Sequence, residues 1–256
     1  MERGEIPLET IPGGFDLQST LESGQTYRWD RTDGTTYERT GAYGGSAWYQ
    51  TVAEGEFVRA RQVDDRLEWI STTDAHPILK RRLRLDDDLD AVIDASPDDR
   101  LIEAAYRRYR GMRLVRDPFF PCLVSFICSA QMRVERIYEL QRTLARSYGA
   151  PVSVEGKTYH TFPDPGKLAA ASEADLRDLK LGYRAPYVKR SARMIADGMI
   201  DPDGLPAEYE AARESLTALV GVGDKVADCV LLFSLGFLEA VPLDTWIRTA
   251  IEEYYP

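Results

Sequence analysis

The 256-residue chain carries 32 Lys and Arg against 42 Asp and Glu, a formal net charge of −10, with an ordinary apolar content. That length holds two modest domains or one large one, and with no apolar run of about eighteen residues no membrane span is expected. The polar start MERGEIPLET lacks a hydrophobic signal core and points to an intracellular protein, while Cys122, Cys128 and Cys229, in apolar runs without CxxC, read as reduced core thiols rather than disulfides or a zinc or iron–sulfur site.

In chain order, the first part reads as mainly β. The runs TYRWD, TTYERTG, AWYQTVA, EFVRARQV and LEWISTT are rich in Thr, Tyr, Val, Phe and Trp. Turn signals at Asp33-Gly34, Gly44-Gly45 and Glu54-Gly55 separate them, which predicts an antiparallel sheet. The acidic segment Asp86–Asp99 marks the changeover, so residues 1–90 are expected to form a β-rich domain and 91–256 a helical one. Ser96-Pro97-Asp98-Asp99 starts a helix over Leu101–Tyr109. Pro118 and Pro121 bracket the start of the next, whose run CLVSFICSA is apolar enough for a buried central helix. An amphipathic helix follows over Val134–Tyr148. Ser172-Glu173-Ala174-Asp175 is a capping pattern, Pro186 suits the first turn of a helix reaching Met199, and Pro206 is expected to start the helix that leads into a hairpin.

The acid surplus conflicts with nucleic-acid binding, since phosphate contacts need Lys and Arg. Its distribution softens the conflict: Asp64–Glu103 is strongly acidic, whereas Lys180–Ala196 holds Lys180, Arg184, Lys189, Arg190 and Arg193 and no acid. Few lysines, many arginines and surplus carboxylates point to a salt-adapted source; GC-rich codon usage would also favour arginine. In high salt, stacking, wedge insertion and backbone hydrogen bonds would carry more of the binding.

The stretch Leu216–Trp246, LTALVGVGDKVADCVLLFSLGFLEAVPLDTW, reads as helix, glycine-rich hairpin, helix, loop and an aspartate opening a further helix. Gly221 and Gly223 permit a tight turn and close approach of another molecule, because no Cβ stands in the way. Backbone N–H groups at such a turn and at the following helix start can hold a phosphate. Lys225 lies where that helix begins, and Asp244 stands at a cap position. Singly, the lysine would be a solvated surface charge and the aspartate an ordinary cap. On a hairpin frame they offer an amine and a carboxylate for base removal.

GVGDKVADC followed by AVPLD resembles the helix-hairpin-helix glycosylase superfamily, and within it the 8-oxoguanine DNA glycosylases. ESGQTYRW (Glu22–Trp29) looks like the family's SGQxFRW segment. FFPCLVSFICSAQ (Phe119–Gln131), and TYHTFPDP followed by LGYRAPYVKRSARMI (Leu181–Ile195), look like its helical core, so the resemblance covers most of the chain. It implies an α+β fold, an N-terminal antiparallel β-sheet domain followed by an all-helical helix-hairpin-helix domain. The family usually continues past the Asp-bearing helix. The C-terminus at Pro256 is therefore expected to be shortened, without the family's glutamine and stacking aromatic for the target base.

Base removal passes through a transition state with positive charge on the sugar, and the base must first be flipped from the stack. By the resemblance, Lys225 is the nucleophile that forms a Schiff base at C1′, and Asp244 the carboxylate that stabilises the cationic sugar and shuttles protons. Cys229, one turn after Lys225, lines the pocket wall; a small buried hydrophobe would occupy the same place. Gly24 matches the glycine whose carbonyl accepts the N7 proton that 8-oxoguanine has and guanine lacks. Tyr183 and Arg184 match the wedge and the arginine at the estranged base, and Arg136 a second such arginine. Gly221 and Gly223 meet the DNA backbone. Main-chain carbonyls near Thr217, Leu219 and Val222 correspond to a cation site in relatives, for which no side chain calls. Two departures stand out. Where the family has a run of asparagines after the Ser of its central helix, this chain has Ser129-Ala130-Gln131-Met132-Arg133, in which Gln131 offers similar amide groups one methylene further out, and Trp246 replaces a histidine often found two residues after the aspartate.

The resulting expectation is a monomeric bifunctional glycosylase and AP lyase, without cofactor, acting on duplex DNA containing an oxidised purine. A same-fold glycosylase for alkylated bases generally lacks the lysine. Endonuclease III-like and adenine glycosylases carry a four-cysteine cluster and lack the β-rich front. A damaged-DNA-binding protein with lyase but little glycosylase activity is the alternative from another class.

Overall fold

Alternation of large apolar residues with polar ones builds a sheet with one face in a core. The computed structural model describes residues 1–34, 36 and 46–255; the expected strand TTYERTG and the turn at Gly44-Gly45 fall outside them, apart from Thr36. In chain order the elements are β1 (Glu2–Pro7), α1 (Leu17–Leu21), β2 (Asp30–Arg31), β3 (Tyr49–Ala53), β4 (Glu56–Val63), β5 (Arg66–Ser71), α2 (His76–Arg82), α3 (Leu89–Asp94), α4 (Arg100–Arg108), α5 (Phe119–Ser129) and α6 (Val134–Tyr148). There follow β6 (Pro151–Val154), β7 (Lys157–His160), α7 (Pro165–Ala170), α8 (Glu173–Asp178), α9 (Ala185–Ala196), α10 (Tyr209–Thr217), α11 (Asp224–Val230) and α12 (Thr245–Tyr254). They divide into two compact units, residues 1–116 with 134–162 and residues 117–133 with 163–256.

Among the described residues, the first unit holds a five-stranded antiparallel sheet in the order β1-β5-β4-β3-β2. The register sets Tyr49 opposite Ala60 and Ala60 opposite Trp69, so one face points these side chains into a core with Leu17, Leu21, Leu79 and Leu83. Arg113 ties the loops together. It is 1% exposed, and its guanidinium donates to the carbonyls of Pro12 (2.5 Å), Arg84 (2.7 Å), Asp87 (2.8 Å) and Gly14 (2.9 Å). Burial lowers its pKa, opposed by the carboxylates of Asp87, Asp86 and Asp88. A buried charge is tolerable only when satisfied in this way.

In the second unit α5 is the central helix, as its apolar run predicts. Phe120 and every residue from Cys122 to Cys128 are buried, and α9, α11 and a π-helical turn at Leu231–Leu235 pack on it. Phe233 of that turn stacks on Phe126 at 5.6 Å. Ser172 accepts from the Asp175 N–H, and Pro186 lies in the first turn of α9, both as expected.

The polar N-terminus forms the edge strand β1, with Glu2, Arg3 and Glu5 exposed. Three expectations are corrected. In TYRWD only Asp30 is strand, because Tyr27 and Trp29 are buried from irregular backbone. TYHTFPDP does not belong to a helical core: Thr158–His160 lies in β7, which pairs with β6 across Glu155-Gly156, both at positive φ (49° and 77°), the two-residue turn of a tight hairpin. The helix entering the glycine hairpin begins at Tyr209, not at Pro206, because Glu208 supplies the cap by accepting from the Glu210 and Ala211 N–H groups.

Candidate active site

The helix-hairpin-helix is α10, residues 218–223 and α11. Arg213 of α10 clamps its two helices, with ion pairs to Asp224 (3.2 Å) and Asp228 (3.1 Å) of α11. Tyr209 donates to Asp228 at 2.8 Å. Burial raises the pKa of Asp228, opposed by the Tyr209 hydrogen bond and the Arg213 charge. On the other side the Ser191 hydroxyl donates to the Val220 carbonyl at 2.7 Å, pinning the hairpin to α9. Gly221 has φ +84°, and a Cβ there would come within 2.7 Å of the Tyr187 Cβ. Gly223 is the N-cap of α11, with extended backbone and nothing within 4 Å of an added Cβ. At the proposed cation carbonyls, Leu219 accepts from Val222 N–H at 3.2 Å, and the Thr217 hydroxyl donates to the Glu214 carbonyl at 2.8 Å.

Lys225 stands in the first turn of α11, half-buried, not as a solvated surface charge. Its Nζ lies 3.4 Å from the Ser129 Oγ at the end of α5 and 5.0 Å from the centroid of the Phe126 ring. Cys229, 1% exposed, is one turn further on the same face. Burial pushes its thiol up to about 11, while the Lys225 charge and hydrogen bond pull it down and the Asp228 and Asp244 carboxylates push it up. The thiol thus senses both the amine of Lys225 and the carboxylate of Asp244. Asp244 is the N-cap of α12, its Oδ1 accepting from the Ile247 N–H at 2.9 Å.

At the end of α5, Gln131 is exposed with φ +53°. The residue before it, Ala130, receives a hydrogen bond from Arg184. Arg184 is 7% exposed and stacks over Tyr183 at 4.3 Å, so it is not the surface charge its setting in a basic stretch suggests. Tyr183 is half exposed and meets Tyr187 edge-on. Trp246 is 82% exposed.

Gly24 and Arg136 lie in the first unit. Gly24 has φ +83°, and its loop is held by Gln25, which donates to the Ser23 hydroxyl (2.9 Å) and the Arg113 carbonyl (3.0 Å) and accepts from Val115 N–H (3.1 Å). Arg136 pairs with Glu139 at 2.6 Å on the surface of α6.

The sequence reading assigns no role to Ser129, Phe126 or the Arg213–Asp228–Tyr209 network. Phe126 and Ser129 lie three residues apart, one face of a helix. Asp228 interrupts the apolar run VADCV, and a carboxylate there requires a partner.

Residues 124–256 match the model of the HhH-GPD superfamily of base excision DNA repair proteins, and residues 8–123 that of the N-terminal domain of 8-oxoguanine DNA glycosylase. A probable N-glycosylase/DNA lyase of Methanothermobacter thermautotrophicus is 31% identical over 95% of this chain and 84% of its own. The N-glycosylase/DNA lyase of Saccharomyces cerevisiae is 32% identical over 93% of this chain and 68% of its own. The Clostridium acetobutylicum 8-oxoguanine glycosylase/lyase, solved with dsDNA containing cytosine opposite 8-oxoG, superposes with a TM-score of 0.83 at 26% identity, covering 94% of this chain and 80% of that one. The chain belongs to the HhH-GPD superfamily of base excision DNA repair proteins and, within it, to the 8-oxoguanine DNA glycosylase family.

Proposed function

We propose that Lys225 and Asp244 carry the chemistry of this N-glycosylase/DNA lyase, which removes 8-oxoguanine from duplex DNA and then cuts the strand. The observation behind this assignment is the setting of Lys225, half-buried in the first turn of α11 with its Nζ 3.4 Å from the Ser129 Oγ and 5.0 Å from the Phe126 ring, one helical turn before the buried Cys229. In its neutral form the Lys225 nitrogen donates its lone pair to C1′ as the glycosidic bond breaks. The base leaves with that bond's electron pair and takes up a proton. Opening of the sugar ring yields the imine, and loss of a C2′ proton then expels the 3′-phosphate. The Asp244 carboxylate offsets the charge that develops on the sugar.

The hairpin glycines and the N–H groups opening α11 are suited to a backbone phosphate. Gly24 is assigned to the N7 proton that separates 8-oxoguanine from guanine. Tyr183, Arg184, Gln131 and Arg136 are assigned to the interrupted duplex, and a cation on the carbonyls near Thr217, Leu219 and Val222 would neutralise a phosphate there. Borohydride trapping on an 8-oxoguanine:cytosine duplex tests the assignment. A covalent adduct forms with the wild type and is lost in Lys225→Gln. No wild-type adduct, or an undiminished one in the variant, overturns it.

A further inference from the structure

The mechanism requires more of Lys225 than an available lone pair: that lone pair must point in one direction. A lysine side chain has four rotatable carbons and a nitrogen that spins freely, so direction has to be imposed from outside. Besides the Cys229 thiol on its own helix, the residues that impose it lie on α5. Ser129 donates its hydroxyl proton to the carbonyl of Phe126 at 2.8 Å, one turn back on its own helix. A hydroxyl has a single proton, so the Oγ can meet Lys225 Nζ, at 3.4 Å, only as an acceptor. The Phe126 ring, presented by the same helix face, lies 5.0 Å from the nitrogen and closes off that side to water. α5 packs on α11, and Ser125, Phe126, Ile127 and Cys128 are buried, so the acceptor is carried on a rigid support.

We propose that Ser129 is the positioning residue for the nucleophile: by accepting one N–H of Lys225, it aims the lone pair of the neutral amine at the sugar. This inference rests on the assignment of Lys225 as nucleophile. A neutral primary amine has two N–H bonds and one lone pair. Engaging one N–H on Ser129 against the Phe126 ring restricts rotation about the terminal C–N bond. Ser129 does not touch the substrate and moves no proton. Its contribution is to the fraction of amines oriented for attack, a quantity to which reaction rates are steeply sensitive.

The test compares wild type, Ser129→Ala, Ser129→Thr and Lys225→Gln in single-turnover borohydride trapping on a duplex with a preformed abasic site. Affinity for a duplex bearing a tetrahydrofuran abasic analogue is measured in parallel, with thermal midpoints as a control for folding. The expected result for Ser129→Ala is a trapping rate lower by roughly ten- to a hundredfold with duplex affinity unchanged. Ser129→Thr, which keeps the hydroxyl, restores the rate to within a few-fold. An Ala variant that traps at the wild-type rate overturns the proposal, as does a loss of rate that Thr fails to restore. If the wild type itself gives no adduct, or Lys225→Gln traps normally, it is the assignment of Lys225 that fails.

Discussion

Arg184 donates to the main-chain carbonyl of Ala130, the residue that ends α5 and precedes Gln131. The donor is charged and the side chain is 7% exposed, so the bond is made where water cannot replace it. Arg184→Ala would leave that carbonyl without its guanidinium and remove the group stacked on Tyr183. A hydrogen bond to a charged group contributes about 1.5–3 kcal/mol, and the unfolding free energy from urea titration should fall by about that amount. Arg184→Lys should be intermediate, because an ammonium reaches the carbonyl but cannot lie flat on the tyrosine ring. An Ala variant as stable as wild type would show that the bond contributes nothing.

Asp244 does two things that substitution can separate. Its Oδ1 caps α12 through the Ile247 N–H. Its charge acts at the Cys229 thiol and, in the proposed reaction, on the sugar. Asparagine is as good an N-cap as aspartate but carries no charge. Asp244→Asn should therefore unfold within about 0.5 kcal/mol of wild type while base release in single turnover slows by roughly a hundredfold or more. Asp244→Ala loses the cap as well and should be less stable by about 1 kcal/mol. Equal activity in wild type and the Asn variant would remove the charge from the mechanism.

What was legible in the sequence was what leaves a local mark. The glycines of the hairpin, the cap at Asp244, the apolar run of α5 and the pattern around Ser172 each record a backbone requirement of their own neighbourhood. Edge strand β1 left little trace, because Glu2, Arg3 and Glu5 face outward and only Ile6 is buried in the core. The β6–β7 hairpin turns at Glu155-Gly156, within a region where the resemblance of TYHTFPDP points to a helical core. Arg113 and the Ser129–Lys225 contact join residues far apart along the chain, and no window of sequence contains both partners. Arg184 illustrates the same point: its basic neighbours suggest solvent, and only the packing of α9 against α5 reveals that it is buried.

The cysteines give a prediction in pH. Burial raises Cys229 from 9.0 to about 11 and Cys128 from 9.0 to about 12, and raises Cys122 well above 9.0. Between the ordinary thiol value and these, the folded state keeps protons that the unfolded chain has released. Unfolding then gains on folding as pH rises. The thiol contribution to stability is fully present below pH 9.0 and is lost as pH climbs through about 11 for Cys229. Urea midpoints should fall over that window, and less steeply in Cys229→Ala than in wild type. At lower pH, iodoacetamide should label the native cysteines far more slowly than the unfolded ones. A variant with the same slope as wild type would place the titration elsewhere.

Gly221 and Gly223 look alike in the sequence and differ in what they require. Gly221 sits at φ +84°, where an L side chain is strained, and a Cβ would also strike Tyr187 at 2.7 Å. Gly221→Ala should cost about 1–3 kcal/mol of stability from the backbone conformation, more if Tyr187 cannot retreat. Gly223 has φ −101° and ψ −178°, and an added methyl meets nothing within 4 Å. Gly223→Ala should leave the urea midpoint nearly unchanged, apart from the small penalty of alanine at an N-cap. The open space beside Gly223, next to the N–H groups that begin α11, is where a phosphate would need to approach. Gly223→Ala should therefore weaken duplex binding by roughly tenfold while folding normally. The two measurements, urea unfolding and duplex affinity, should thus move in opposite patterns for the two substitutions. If Gly223→Ala binds duplex as wild type does, the hairpin's role is to shape the turn and not to receive the DNA backbone.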